Sequence, residues 1–255
     1  VGYCQGNFNS DNCAIGGYTL DYGPFGFCEL FDPRFQPWTG GGDHFSFFNQ
    51  PVAAEYNFKM FCLSLKPLIE KDKNSLESLE RIMNEFSKCM EEEMQLMWSK
   101  KLGLDSYDEN LVNNLFNLMI ITNVDYTKFF RILSEIPNNV TPLKESFYKP
   151  CYSSLEIRWN EWINSWRNSL VKNKNFKDIS KSLLLTNPKY TWREWLIAPA
   201  YEKAEKGDYS LVKELQNIFD DPYGMKSTNQ DKKFDCLRPN KYFNAGGISH
   251  YSCSS

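Results

Sequence analysis

The chain has 255 residues with 29 Lys and Arg against 32 Asp and Glu, a net charge of −3 spread along its length. That balance argues against a nucleic-acid partner, which wants a basic stripe, and offers no polybasic membrane anchor. Its longest apolar run, around Leu115 to Ile121, is too short to cross a bilayer, while 42% apolar residues are ample for a buried core.

In chain order, the first stretch with chemical content is Tyr3–Asn12, a Gly/Asn/Ser-rich loop closing on Asp11 and Asn12. Cys13-Ala14-Ile15 and Tyr18-Thr19-Leu20 are short strand candidates around Gly16-Gly17, a pair suited to a tight hairpin turn. Folding that hairpin sets Asn12 beside Asp21. An amide oxygen and a carboxylate so placed are hard ligands for a Mg²⁺ that draws its other ligands from water and phosphates. Asp11 is left free to accept a proton.

From Phe25 to Pro51 the chain is rich in Phe, Gly and Pro, with Asp32-Pro33, Gln36-Pro37-Trp38 and Gly40-Gly41-Gly42 interrupting regular structure. Phe45, Phe47 and Phe48 are read as packing groups. The pattern then turns helical. The spacing predicts a helix over Ala53 to Leu65, stopped by Pro67, and a longer one capped by Ser75 with Leu76, Leu79, Ile82, Met83, Phe86, Met90, Met94 and Met97 as a core stripe. Asn110 is expected to cap Leu111 to Ile121, and Asp125 to cap Tyr126 to Leu133. Leu155, Trp159, Trp162, Ile163, Trp166 and Leu170 share one helical face, an anchoring ridge. Asn187-Pro188-Lys189-Tyr190 leads into a helix through Trp192 and Trp195, and a last helix covers Leu211, Leu215 and Phe219 before Asp220-Asp221-Pro222. Lys189 and Arg193 have the charge for phosphate contacts, yet satisfied interhelix contacts are the better reading. From Gly224 onward there is no periodicity, and the tail would wander unless pinned by Phe234, Tyr242 or Phe243.

The eight cysteines show no Cys-x-x-Cys pair, and only His44 and His250 could add imidazole ligands, which argues against zinc and for free thiols in a reducing, intracellular setting. Cys253, between two serines near the chain end, is placed as an exposed, oxidisable thiol.

The pattern of Asp11, Asn12 and Asp21-Tyr22-Gly23 resembles a protein-kinase C-lobe, where an Asp serves as base and an Asn and an Asp-Phe-Gly Asp hold metal ions. Asp11 and Asn12 are adjacent here, whereas ordinary kinases separate them. With Asp21-Tyr22-Gly23-Pro24-Phe25-Gly26-Phe27, this resembles the selenoprotein O family of kinase-like protein adenylyltransferases. Asp32-Pro33, Asn49-Gln50-Pro51, Lys101–Leu104, Asp108–Val112, Phe129-Phe130, Asn187–Tyr190, Ala204–Asp208 and Ser252–Ser255 look like further family stations in family order. The sequence departs at Gln5, where the family usually has His, and at Ser10 for Thr.

The resemblance implies a mainly helical, protein-kinase-like C-lobe with a short hairpin (1–150), a helical C-terminal extension (151–222) and an irregular tail ending near a redox cysteine (223–255). It implies AMP transfer from ATP to Ser, Thr or Tyr hydroxyls of protein substrates, with Asp11 as base and with Asn12 and Asp21 holding Mg²⁺, or Mn²⁺ in its place; Asp21 also faces the nucleotide. ATP bound in a flipped orientation rests on the family alone. Ordinary phosphoryl transfer and a non-catalytic pseudokinase scaffold are the rival readings. Val1 enters in mid-fold, so an N-lobe is expected upstream and the chain by itself is expected to be inactive. Some family members pair the tail cysteine with an activation-segment cysteine; the matching position here looks like Pro37, which leaves Cys28 as the substitute partner for Cys253. A mitochondrial location is suggested by the family alone.

Overall fold

The computed structural model describes residues 1–18, 20, 24–38, 42–170 and 175–243. Two short strands, β1 (Tyr3–Gln5) and β2 (Phe25–Phe27), pair in one small sheet. Gly6 N donates to Pro24 O at one end and Cys28 N to Gly2 O at the other, which makes the pair antiparallel. The rest is mainly helical: α1 (Gln50–Ile69), α2 (Lys73–Leu102), α3 (Glu109–Thr122), α4 (Tyr126–Leu133), α5 (Ser153–Ser169), α6 (Phe176–Thr186), α7 (Glu194–Glu205), α8 (Ser210–Phe219) and α9 (Thr228–Phe234). None of the described helices is long and apolar enough to cross a membrane.

The chain divides into two compact units. One comprises Val1–Gly2, Phe27–Asp32 and Leu96–Tyr251. Its core follows from the tryptophan spacing of α5: Trp159, Trp162 and Trp166 are buried, and each indole N–H finds an acceptor, Thr122 Oγ1 at 3.0 Å, Leu111 O at 2.9 Å and Leu102 O at 2.8 Å. Large amphipathic rings can be buried this deeply because their single polar atom is satisfied. Phe129, Phe130, Leu115, Met119, Leu133 and Ile163 complete the packing. A second cluster joins α7, α8 and α9 through Tyr190, Trp195, Leu196, Ala200, Leu215, Ile218 and Phe234.

Several expectations are corrected here. Asp108, not Asn110, caps α3 by accepting from Leu111 N at 2.9 Å. Asp72, not Ser75, accepts from Asn74 N in the first turn of α2 and also from the Ser75 hydroxyl. Pro67 lies inside the last turn of α1 rather than ending it at Leu65. The residues after Gly224 are not all irregular. Ser227 and Gln230 form a capping box that starts α9, and Phe234 at its end is buried. Asp125 caps α4 as expected, accepting from Lys128 N at 2.9 Å.

The other unit comprises, among the described residues, Tyr3–Gly26 and Pro33–Gln95. Here α1 packs on the first part of α2, with Phe58 stacked on Phe86 at 4.8 Å and Ser87 Oγ bonded to Glu55. The methionine stripe of α2 is not a closed core: Met83, Met90 and Met94 are half-buried, and Ile82 and Met97 are exposed. The segment after Pro33 packs on β1. Phe35 O and Phe45 O both lie against the Cys4 thiol, Phe47 N bonds Phe35 O and Phe48 N bonds Pro33 O.

Candidate active site

The loop that follows β1 is built by three fastenings. First, Gly6 N donates to Pro24 O at 2.6 Å, and a Cβ on Gly6 would sit 2.3 Å from that same oxygen. No L side chain tolerates such a contact, so glycine is required for the chain after Asp21-Tyr22-Gly23 to return against the loop. Second, Gln50 at the start of α1 brackets Gln5. Its Oε1 accepts from Gln5 N and its Nε2 donates to Gln5 O, both at 3.1 Å, and to Phe45 O at 2.6 Å. Third, Asn57, buried on the same helix, donates to Phe8 O at 2.9 Å. A rigid helix thus holds both ends of a loop that has almost no apolar content.

Gln5 itself is buried; Tyr3 donates its hydroxyl to Oε1, and Nε2 reaches Asn7 O at 3.5 Å. Asn7 Oδ1 in turn accepts from Asn9 Nδ2 at 2.8 Å. The loop then closes in one 3₁₀ turn over Ser10–Asn12. Asn12 Nδ2 donates to Asn7 O at 3.2 Å. Because a carbonyl can only accept, this bond fixes which end of the amide is which and leaves Asn12 Oδ1 without a partner among the described residues. The Asp11 side chain is exposed and likewise accepts no hydrogen bond among the described residues.

Beyond Asn12 the expected hairpin is described only in part, because Thr19 and residues 21–23 lie outside the described residues. A turn is present, with Gly17 N bonded to Ala14 O at 3.1 Å and Gly17 at φ 75°. Cys13 makes a β-bridge, the chain turns over residues 14–18, and Ile15, Tyr18 and Leu20 are exposed. Asp21 lies outside the described residues, as do Gly40, Gly41 and Cys253. Among the described residues no three His, Cys, Asp or Glu side chains converge. The donor set that is present, an amide oxygen without a partner among the described residues next to an exposed carboxylate, has the hard-oxygen character that suits Mg²⁺.

Of the two cysteines named for redox chemistry, Cys253 lies outside the described residues and Cys28 within them. Cys28 is fully buried and its thiol lies 3.4 Å from Leu30 O. Cys4 is buried beside the loop, and burial pushes its thiol up to about 12. Lys189 and Arg193 hold structural ion pairs: Lys189 Nζ sits 2.8 Å from Asp231, and Arg193 pairs with Asp125 and Glu29. Gln50 and Asn57 are the supports that sequence reasoning missed. Asn57 carries a readable signal, a polar residue on the Ala53 side of an amphipathic helix.

A family model described as protein adenylyltransferase SelO matches residues 1–219. Among curated proteins, a protein nucleotidyltransferase YdiU of Flavobacterium johnsoniae is 32% identical over 269 residues, covering 100% of this chain and 50% of that protein. A protein of the same name from Aromatoleum aromaticum is 31% identical over 265 residues with the same two shares. The chain spans about half the length of these curated relatives. On the extent of the match, the chain belongs to the SelO family of protein adenylyltransferases.

Proposed function

We propose that this protein transfers AMP from ATP to Ser, Thr or Tyr hydroxyls of other proteins, through a protein-kinase-like C-lobe over residues 1–150 with a helical extension over 151–222. The observation that carries the reading is the Asp11-Asn12 turn, clamped by Gly6, Gln50 and Asn57, in a chain of the SelO family. The relatives' names, protein nucleotidyltransferase, point the same way.

In this mechanism Asp11 accepts the proton of the attacking hydroxyl, a role that suits an exposed carboxylate with no competing partner among the described residues. Asn12, through Oδ1, and Asp21, through its carboxylate, would hold Mg²⁺ or Mn²⁺. The ion, when bound, supplies positive charge that offsets what develops as pyrophosphate departs. The Asn12 Nδ2 bond to Asn7 keeps the amide from rotating its NH₂ toward the ion. Cys253 is assigned a redox role with Cys28 as its partner. Because Cys28 is buried, that bridge requires local opening. Non-reducing peptide mapping of the oxidised protein would link the two cysteines, and their absence from every linked peptide would remove the pairing.

The experiment for the activity is intact mass spectrometry of the full-length protein with a protein acceptor, Mg²⁺ and ATP, beside Asp21→Ala. A gain of one AMP that the variant lacks supports adenylyl transfer. A gain of one phosphate makes the protein a kinase, and no gain with nucleotide still bound makes it a scaffold.

A further inference from the structure

Arg131 on α4 is 7% exposed, yet no carboxylate lies within hydrogen-bond reach of it among the described residues. Its Nη1 donates to two backbone carbonyls, Leu184 O at 3.1 Å and Asn187 O at 3.2 Å. Its Nη2 meets a thioether, Met225 Sδ at 3.9 Å, and no other acceptor among the described residues. Lys189 is 6% exposed and carries its ammonium to the same sulfur at 4.0 Å, in addition to its pair with Asp231. Two buried cations thus converge on one sulfur, the weakest acceptor among protein side chains. Met225 is itself 75% exposed, in the connection between α8 and α9, and borders a cavity of about 590 Å³ shared with Arg131, Lys177, Lys181, Leu185 and Tyr223. Small solutes reach it from that side.

We propose that Met225 is an oxidation site whose sulfoxide oxygen is captured by Arg131 and Lys189. The oxidant is a hydroperoxide. The sulfur lone pair attacks one peroxide oxygen, the O–O bond breaks, an S–O bond forms, and the other oxygen leaves as water or alcohol after taking up a proton. The thioether is oxidised by two electrons and the peroxide reduced by two. The product oxygen projects from a sulfur already within one bond length of hydrogen-bonding distance to both cations. Two charge-assisted bonds replace two weak ones. Pro222 O, three residues earlier, already accepts from Lys189 N and Tyr190 N, so capture fastens the α8–α9 connection to the Asn187–Tyr190 segment and to α4. Sulfoxide formation in most surroundings disrupts packing, and a reductase can reverse it. Here the cations are already in place to receive the oxygen.

The test is graded hydrogen peroxide on the full-length protein, followed by peptide mass mapping and thermal unfolding, with Met225→Leu and Met225→Gln alongside. Met225 is expected to gain oxygen before Met60 and Met97, which are 41% and 36% exposed. Met225→Gln, which presents a fixed carbonyl oxygen to the same cations, is expected to melt roughly 2–4 °C above Met225→Leu. Oxidised wild type is expected to melt above equally oxidised Met225→Leu, a difference that isolates this one sulfur. Earlier oxidation of the other methionines, a glutamine variant no more stable than the leucine variant, or a lower midpoint on oxidation at Met225 would each overturn the proposal.

Discussion

Arg193 and Asp125 face each other as a two-pronged pair, Nη2 to Oδ1 at 3.0 Å and Nη1 to Oδ2 at 2.5 Å, both side chains buried. Glu29 Oε1 adds a contact to Arg193 Nη1 at 3.1 Å and accepts from Trp195 Nε1 at 2.7 Å. Asp125 also caps α4 and accepts from the Tyr148 hydroxyl at 3.1 Å. One guanidinium therefore ties the start of α7 to α4 and to the segment after β2. Arg193→Met is expected to cost about 3–5 kcal/mol in denaturant unfolding, because it strands a buried carboxylate. The double variant with Asp125→Asn should recover part of that loss. Raising the salt should not mimic the single variant, since buried pairs are little screened. Equal losses in the single and double variants would refute the coupling.

Lys101 on α2 yields a pH prediction. Its ammonium is fully enclosed, bonded to Asn187 Oδ1 at 2.9 Å and lying 4.0 Å from the Phe130 ring centre and 4.9 Å from that of Tyr126. Burial pulls its pKa down to about 7 from the ordinary 10.5. Between those values the unfolded chain binds the proton that the folded chain has released. Stability therefore rises with pH across that interval, and the penalty is fully present below about 7. The slope is up to about 1.4 kcal/mol per pH unit. Tyr126, buried beside it and raised well above its ordinary value, opposes the trend only once the unfolded tyrosine ionises near 10. Unfolding of wild type and Lys101→Met compared from pH 7 to 9.5 should show the wild type gaining on the variant. Parallel curves would mean that the lysine keeps its proton when folded.

How legible these features were depended on how local they are. Trp159, Trp162 and Trp166 repeat at helical spacing, and their burial could be read directly. Asp108 and Asn110 are both good caps two residues apart, and only the backbone distinguishes them. Helix α9 has its capping box in plain sight at Ser227 and Gln230 but just one buried apolar residue, so periodicity is silent there. Cys13-Ala14-Ile15 and Tyr18-Thr19-Leu20 read as short strands around Gly16-Gly17; among the described residues Cys13 makes a β-bridge, while Ile15, Tyr18 and Leu20 are exposed. At the candidate site, Asp11 and Asn12 lie within one loop, so their adjacency is visible in the sequence. Gln50 and Asn57 act across more than forty residues of sequence, a relation that a local pattern does not carry.

Gly6→Ala tests the clamp under that loop. The new methyl would meet Pro24 O at 2.3 Å, so either the Gly6–Pro24 bond or β1 pairing must give. The expected cost is roughly 1–3 kcal/mol, the range for overpacking at a tight contact. Nucleotide affinity should fall alongside, measured by titration with Mg²⁺ and ATP. An alanine variant with wild-type affinity and melting would show that the loop does not depend on this approach.

Asp11 and Asn12 are neighbours with different assigned work, and single substitutions separate them. Asp11→Asn keeps the size of the side chain but removes the acceptor for a proton. Turnover in the AMP-transfer assay is expected to fall about 10²–10⁴-fold while nucleotide affinity holds, the range for losing a general base. Asn12→Ala removes Oδ1 and also the Nδ2 bond to Asn7 O. It should raise the Mg²⁺ concentration needed for half-maximal rate and loosen the loop together. Asn12→Asp restores an oxygen ligand but forfeits the donor to Asn7, so its metal requirement should recover more than its thermal midpoint. If Asn12→Ala left the Mg²⁺ dependence unchanged, Asn12 would be a loop-closing residue alone, and the metal would need its second protein ligand elsewhere.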